Sequence, residues 1–405
     1  MDRIEQQLTL WGEMYPSFKI KEPVVLIELF AGIGAQRKAL QILGVKIDNE
    51  KSKICEWAYN SFISYNAIHH KDFTDYSANM TKEELIEKCV GVSTNYNEPL
   101  SSDQLKRKPI EWLKSAYNSI VATHNLVNIM NVKGQDLELD KVKDQTIILC
   151  YSFPCQDLSL AGQRKGMSVS QKEGGTRSGL LWEVERILTE MYNTHTHTQH
   201  STLPHILLME NVPEVVGKNN IDDFKKWEEK LRSFGYKNYV EILNGKDYGI
   251  PQNRRRTFMI SILGDYSYEF PRKLPLKYVL KDFLEDNVEE KYFLDDKTLE
   301  RISNWKAQQN PLDNMVDTTR ERERVISTLT ARGAGEEHSG MKLIGIPSIP
   351  IKENNSKGYK NAKIGDGVNL ASRMAHQRGN VQRESIQTLK TEMEVGVVVD
   401  DKIHK

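Results

Sequence analysis

Four short motifs in this chain carry residue types that, brought together, run covalent chemistry on an aromatic ring. In YSFPCQDLSLAGQRKGM, Cys155 directly follows an apolar run; Pro154 stiffens the turn, and Gly162, Gly166, Gly174 and Gly175 loosen the stretch after it. A thiolate at the end of a buried strand is placed to act as a nucleophile. The competing reading of a free cysteine is a small buried hydrophobe, and Cys150, inside the apolar run, fits that reading far better. LLMENVPEVV sets Glu210 and Asn211 at the end of another apolar run, where a partly desolvated carboxylic acid can protonate a ring nitrogen; taken alone, it reads as an ordinary acid at a helix start. DYGIPQNRRRTFMISI brings Gln252, Arg254 and Arg256 just ahead of a further apolar run. The fixed fork of a guanidinium suits a base carbonyl, a carboxylate or a phosphate. In VVLIELFAGIGAQRKAL, Gly32-x-Gly34 separates an apolar run from a helix beginning near Ala35, so a ligand can approach the backbone and the helix N-terminus. Glu56 follows at about the spacing from which such folds bond a ribose, and the turn and the acid together point to a nucleoside-containing cofactor.

The elements that must position these residues are legible as β-branched apolar runs at 24–29, 146–151, 205–209 and 257–263, separated by helical patterns at 180–191 and 224–234. That alternation predicts a doubly wound, Rossmann-like α/β sheet, with each motif adjoining one strand. If the last strand runs antiparallel, its beginning lies at the edge where the others end. Residues 77–131 are polar and weakly periodic and read as an insertion with some helix, at 82–89 and 110–121. The THTHTQH tract at 194–200 reads as a solvated loop; period-two histidines with no other ligand do not preset a tetrahedral metal cage, and no metal site is expected. After about Pro271 the α/β rhythm gives way to charged, turn-rich sequence. Two look-alike stretches there, RVISTLTARGAG and NVQRESIQTLKTEMEVGVVV, suggest a duplicated β hairpin. The expected organisation is an extension at 1–22, a catalytic domain at 23–270 and a smaller β-rich domain at 271–405.

Acids and bases balance at 56 each, so any attraction for nucleic acid must come from local surface. The four cysteines form no CxxC pair, which excludes zinc-ribbon and thioredoxin-type chemistry and suits a reducing cytoplasm. No apolar run has the length of a membrane span, and the N-terminal residues lack the core of a signal peptide.

In order and wording these elements resemble the DNA cytosine-5 methyltransferases: FAGIGAQRKAL, YSFPCQDLS, GTRSGLLWE, LLMENV and QNRRRTFMIS are similar to the CpG-type and phage members in particular. The resemblance runs from about Val24 to Leu263, and the region beyond resembles that family's target recognition domain. It implies S-adenosylmethionine as cofactor, with Phe30 beside the adenine, Gly32, Ile33 and Gly34 near the amino acid portion, Glu56 on the ribose, and Pro154 and Leu180 lining the pocket. Asn128 is the nearest counterpart of an acidic adenine contact. It further implies Cys155 as the nucleophile, Glu210 as the acid at N3 and the exocyclic amine of cytosine, Arg254 and Arg256 as positioning groups, and Asn211 as a brace for the Pro-Cys loop. Double-stranded DNA is the implied substrate, within restriction-modification or phage protection. A transfer RNA substrate is the weaker alternative, because the long region after Pro271 suits groove reading.

The family's terminal Gly-Asn motif and the helix after it are not found. Gly379-Asn380-Val381 is followed by sequence that reads as β hairpin. The expectations that follow are an atypical terminus, a second subunit that completes the enzyme, or an inactive DNA-binding remnant.

Overall fold

A computed structural model describes residues 7–8, 14–95, 98–142, 144–154, 177–198, 203–279 and 282, and eight short strands between 325 and 404. The chain divides into two compact units, 1–241 with 257–270, and 242–256 with 271–405.

The first unit is built on a six-stranded sheet: β1 (Val25–Leu29), β2 (Lys53–Cys55), β3 (Ile147–Tyr151), β4 (Ile206–Asn211), β5 (Tyr236–Asn244) and β7 (Arg255–Leu263), in the spatial order β2-β1-β3-β4-β7-β5. β1 and β3 are buried on both faces, which is why they read as unbroken apolar runs. Val25, Ile27, Leu29, Ile147, Leu149 and Tyr151 join one core cluster, while Val24, Leu26, Ile148 and Cys150 join another, as the period of two requires. The four strands β2, β1, β3 and β4 are parallel; β7 is antiparallel to β4, with Thr257 opposite Asn211. The condition set by the sequence is therefore met: β7 enters at the edge where its neighbours end. The fold is the mixed, Rossmann-like α/β sheet that the alternation predicts.

The helices are α1 (Ala35–Ile42), α2 (Tyr59–Tyr65), α3 (Lys82–Lys88), α4 (Ser102–Lys106), α5 (Ile110–Ala122), α6 (Leu181–Thr198) and α7 (Ile221–Ser233). The stretch at 77–131 is more ordered than its polarity suggests. α3 and α4 each start on a capping box, Thr81 with Glu84 and Ser101 with Gln104. Leu85, Cys89, Leu105, Leu113 and Ala116 then bury a core shared with Phe62 and Tyr65 of α2. The loop expected at 194–200 is corrected for its first five residues: α6 continues through Thr198. Neither Gly nor Pro interrupts it after Met191, and Thr and His cost a helix only a few tenths of a kcal/mol each.

Arg186 on α6 ties this helix to the segment before β3. It pairs with Glu183 at 2.9 Å and Glu190 at 2.7 Å, and donates to the carbonyls of Ile129 and Val132. Arg186→Ala is expected to lower unfolding stability by about 2–3 kcal/mol, because charged pairs and two carbonyl contacts are lost together; denaturant unfolding of the two proteins measures it.

In the second unit, β8 (Val325–Ser327) runs parallel between β6 (Gln252–Asn253) and β13 (Glu384–Ser385). β9 (Ile349–Lys352) and β10 (Tyr359–Ala362) pair antiparallel, and a four-stranded sheet follows in the order β12-β11-β14-β15, from β11 (Gly367–Asn369), β12 (Asn380–Gln382), β14 (Gly396–Val399) and β15 (Lys402–His404). The duplicated hairpin is corrected for its second copy: β12 and β14, both within NVQRESIQTLKTEMEVGVVV, do not pair with each other but flank β11, while the first copy beyond Ser327 lies outside the described residues. The two stretches meet in parallel, Val325 opposite Glu384 and Ile326 opposite Ser385.

Candidate active site

The register of the first sheet brings the motif-bearing strand ends into line. Leu29 is opposite both Cys55 and Tyr151, and Tyr151 is opposite Met209, so β4 carries Glu210 and Asn211 past that line. In an open α/β sheet this carboxyl edge, where β2 and β3 leave β1 in opposite directions, is where ligands bind.

The glycine turn sits at the end of β1. Phe30, Gly32 and Gly34 all adopt left-handed backbone conformations, with φ of 59°, 55° and 80°. Phe30 and Ala31 both donate from their backbone N–H to the Cys55 carbonyl, which folds the turn onto the end of β2. Glu56, the next residue, fastens it: its carboxylate accepts the Gly32 N–H at 2.8 Å and the Ala58 N–H at 2.8 Å. Burial raises the Glu56 pKa above the usual carboxylate range, partly opposed by backbone N–H donors of Ala58, Gly32 and Trp57. Asn125, which no motif signalled, grips Glu56 through both the backbone N–H and the carbonyl, at 3.0 and 2.8 Å.

Beneath the turn, buried Glu28 of β1 accepts from the Tyr65 hydroxyl and the Arg37 backbone N–H, and Arg37 donates onward to Tyr65 and Asn49. Burial raises the Glu28 pKa, opposed by Tyr65 and Arg37. His69 Nε2 lies 2.9 Å from the Ile33 carbonyl, which makes it the protonated ring nitrogen. A side chain at Gly34 would bring its Cβ within 2.4 Å of His69 and 2.6 Å of Tyr65. Gly34→Ala is therefore expected to cost about 1–3 kcal/mol in backbone strain alone, with a parallel loss of cofactor affinity; thermal unfolding and calorimetric titration check the two effects.

The residues present fit a nucleoside cofactor. A Cβ at Gly32 would meet nothing within 4 Å, so open space adjoins the turn. The Glu56 oxygens, each holding one backbone N–H, keep lone pairs for hydroxyl donors. Ile33 is 56% exposed, and Phe30 rests on the core cluster that includes Leu180 and Phe153. Asn128 is buried and its side-chain oxygen accepts the Met130 N–H, which engages it in a local turn.

Cys155 lies outside the described residues. The three residues ahead of Pro154 are held: Tyr151 accepts from Trp227 Nε1 at 3.0 Å, Ser152 accepts from Gln36 at 2.7 Å, and the Phe153 carbonyl accepts from Asn211 Nδ2 at 3.0 Å. Glu210 is half-buried, opposite Phe258 in the ladder. Arg254 and Arg256 belong to the second unit, and Arg256 is joined by one peptide bond to Thr257 of the first. Cys150 is buried and its thiol is pushed well above its ordinary range by desolvation and then by Glu28, as a packing cysteine should be. Among the described residues no three potential metal ligands gather, and no helix is long and apolar enough to cross a membrane.

The family model for C-5 cytosine-specific DNA methylases matches residues 100–394. The chain belongs to that family. As a member it is a DNA cytosine-5 methyltransferase, and enzymes of this kind depend on S-adenosylmethionine. It is 38% identical over 285 residues to the orphan methyltransferase M.SssI of Spiroplasma monobiae, covering 69% of this chain and 70% of that protein. It is 35% identical over 273 residues to the type II methyltransferase M2.ScrFI of Lactococcus lactis subsp. cremoris, covering 66% and 69%. The solved Dnmt2 methyltransferase of S. pombe matches this methyltransferase with a TM-score of 0.42 and 16% identity, over 69% of this chain and 66% of that one.

Proposed function

We propose that this methyltransferase modifies duplex DNA by covalent addition, with Cys155 as the nucleophile at C6 of a cytosine rotated out of the helix. The observation that carries the reading is the shared carboxyl edge, where the glycine turn, Glu56, Pro154 and Glu210 end neighbouring strands in register. S-adenosylmethionine, when bound, supplies an electrophilic methyl group. Phe30, Gly32, Ile33, Gly34, Glu56, Pro154, Leu180 and Asn128 would hold it.

Cytosine C5 is a poor nucleophile until a thiolate adds at C6. Glu210 gives a proton to N3 as Cys155 adds, so the ring electrons collect at C5, which takes the methyl group. Loss of the C5 proton to a base, departure of the thiolate and return of the N3 proton to Glu210 then restore the ring. Arg254 and Arg256 orient the base and the active-site carboxylate, and their charge favours the thiolate form of Cys155. Asn211 steadies the backbone ahead of the nucleophile through the Phe153 carbonyl. Because C6 is shielded in a stacked duplex, the nucleotide must swing out, at a cost of a few kcal/mol that the pocket offsets.

Residues 271–405, with 242–256, form the target recognition domain in this reading. The enzyme works in the cytoplasm of a bacterium or phage-infected host, protecting DNA from a cognate nuclease. A second subunit rests only on the terminal motif missing from the sequence.

The test is methyl transfer by the purified full chain, alone, from labelled S-adenosylmethionine to duplex DNA, with transfer RNA as competitor, a Cys155→Ser control, and bisulfite sequencing of the product. Cys155-dependent labelling of cytosines at one recurring sequence is expected. No Cys155-dependent transfer, or a preference for transfer RNA, would sink the reading; transfer by the chain alone removes the need for a second subunit.

A further inference from the structure

We propose that Gln36 is a positioning residue that holds the nucleophile loop in register with the cofactor turn. The inference rests on Cys155 being the nucleophile. Gln36 is the second residue of α1, the helix that Gly34 starts, and its Nε2 donates to Ser152 Oγ at 2.7 Å across 116 residues of sequence. Ser152 is the first residue beyond β3, where the sheet ladder no longer fixes the backbone.

Three consecutive residues at this strand end are fastened by three different elements. Tyr151 is held by Trp227 of α7, Ser152 by Gln36 of α1, and Phe153 by Asn211 of β4. Of these, only the bond from Gln36 comes from the element that starts at the glycine turn. The two groups that bond to the ring, the sulfur that adds at C6 and the methyl group that C5 receives, are placed in this reading from separate strands, β3 and β1. A misplacement of about 1 Å between reacting groups costs on the order of 10²-fold in rate. Both Gln36 and Ser152 are half-buried, so water competes only in part for this hydrogen bond. A direct side-chain bond between α1 and the residue three before Cys155 limits that relative error.

The experiment is single-turnover methyl transfer to duplex DNA by the full chain, at saturating S-adenosylmethionine and DNA, with cofactor affinity and thermal midpoint measured for each variant. Gln36→Met keeps length and helix propensity without the donor; Ser152→Ala removes the acceptor; Ser152→Thr retains a hydroxyl. Gln36→Met and Ser152→Ala are each expected to slow transfer about 10-fold, and the double variant to be no slower than either, because one bond is removed in all three. Cofactor affinity should stay within about three-fold, the midpoint within a few degrees, and Ser152→Thr should recover most of the rate. Unchanged rates, losses that multiply in the double variant, or a loss confined to cofactor affinity or to stability would each overturn the inference. Cys155→Ser, run alongside, separates the two readings. If it is inactive while the Gln36 variant is unchanged, only the positioning role fails; if it still transfers methyl groups, the nucleophile assignment fails and the positioning role with it.

Discussion

Cys155→Ser is expected to abolish methyl transfer to duplex DNA, with a loss on the order of 10⁴-fold or more, as for other deletions of a covalent nucleophile. A serine hydroxyl is nearly isosteric but is almost never ionised near neutrality, so the addition at C6 that makes C5 reactive does not occur. The three remaining cysteines cannot substitute. Cys55, Cys89 and Cys150 are all buried, and burial pushes each thiol well above its ordinary range, Cys89 to about 12. The check is a labelled-methyl assay together with a denaturation-resistant adduct on DNA containing 5-fluorocytosine, where the ring carries no removable proton at C5. The wild-type chain should give the adduct and the variant none. An adduct that persists in Cys155→Ser would place the nucleophile elsewhere.

Glu210→Gln should lower the single-turnover rate by roughly 10²–10³-fold while leaving DNA and cofactor affinity within a few-fold, the span ordinarily carried by a general acid. Glutamine keeps the size and the hydrogen-bonding oxygen of the side chain but has no proton to give to N3. Glu210 is the penultimate residue of β4, held between the Met209–Met259 and Asn211–Thr257 pairs of the ladder, so the substitution should not move it. Because adduct formation needs the same proton, trapping on fluorinated DNA should slow in parallel with methyl transfer. A variant that forms adduct at the wild-type rate, or transfers within a few-fold of it, would remove Glu210 from the acid role.

The parts of the fold legible in the sequence are those whose physics is local. VVLIEL and TIILCY are buried on both faces, and nothing but a central strand needs such runs. Lys53–Cys55 escaped notice because three residues show no period. Tyr236–Asn244 escaped because this edge strand is largely half-exposed, and YKNYVEILN mixes polar and apolar residues without regular alternation. The helix through Thr198 was hidden by a tract whose composition suggests a loop. At the site, the glycine turn and Glu56 were readable from residue type and spacing. Asn125, which grips Glu56 from 69 residues away, and the bond from Gln36 to Ser152 were not, since pairs joined only by the tertiary fold leave no periodic trace. Cys155 stands out in the sequence through a local signal, a Pro-Cys-Gln triplet after a buried strand, and lies outside the described residues.

The chain leaves the first unit after Glu241, returns at Thr257, and leaves again after Phe270. The short excursion is not a spare loop: its Gln252 and Asn253 form the strand that pairs with Ile326 and Ser327. A hybrid enzyme that exchanged only residues 271–405 for those of a relative would strip β6 of its neighbour while leaving Arg254 and Arg256 attached to the orphaned segment. If the second unit reads the target as proposed, transplanting sequence preference between members of this group calls for three junctions in the gene rather than one, with 242–256 travelling alongside the tail.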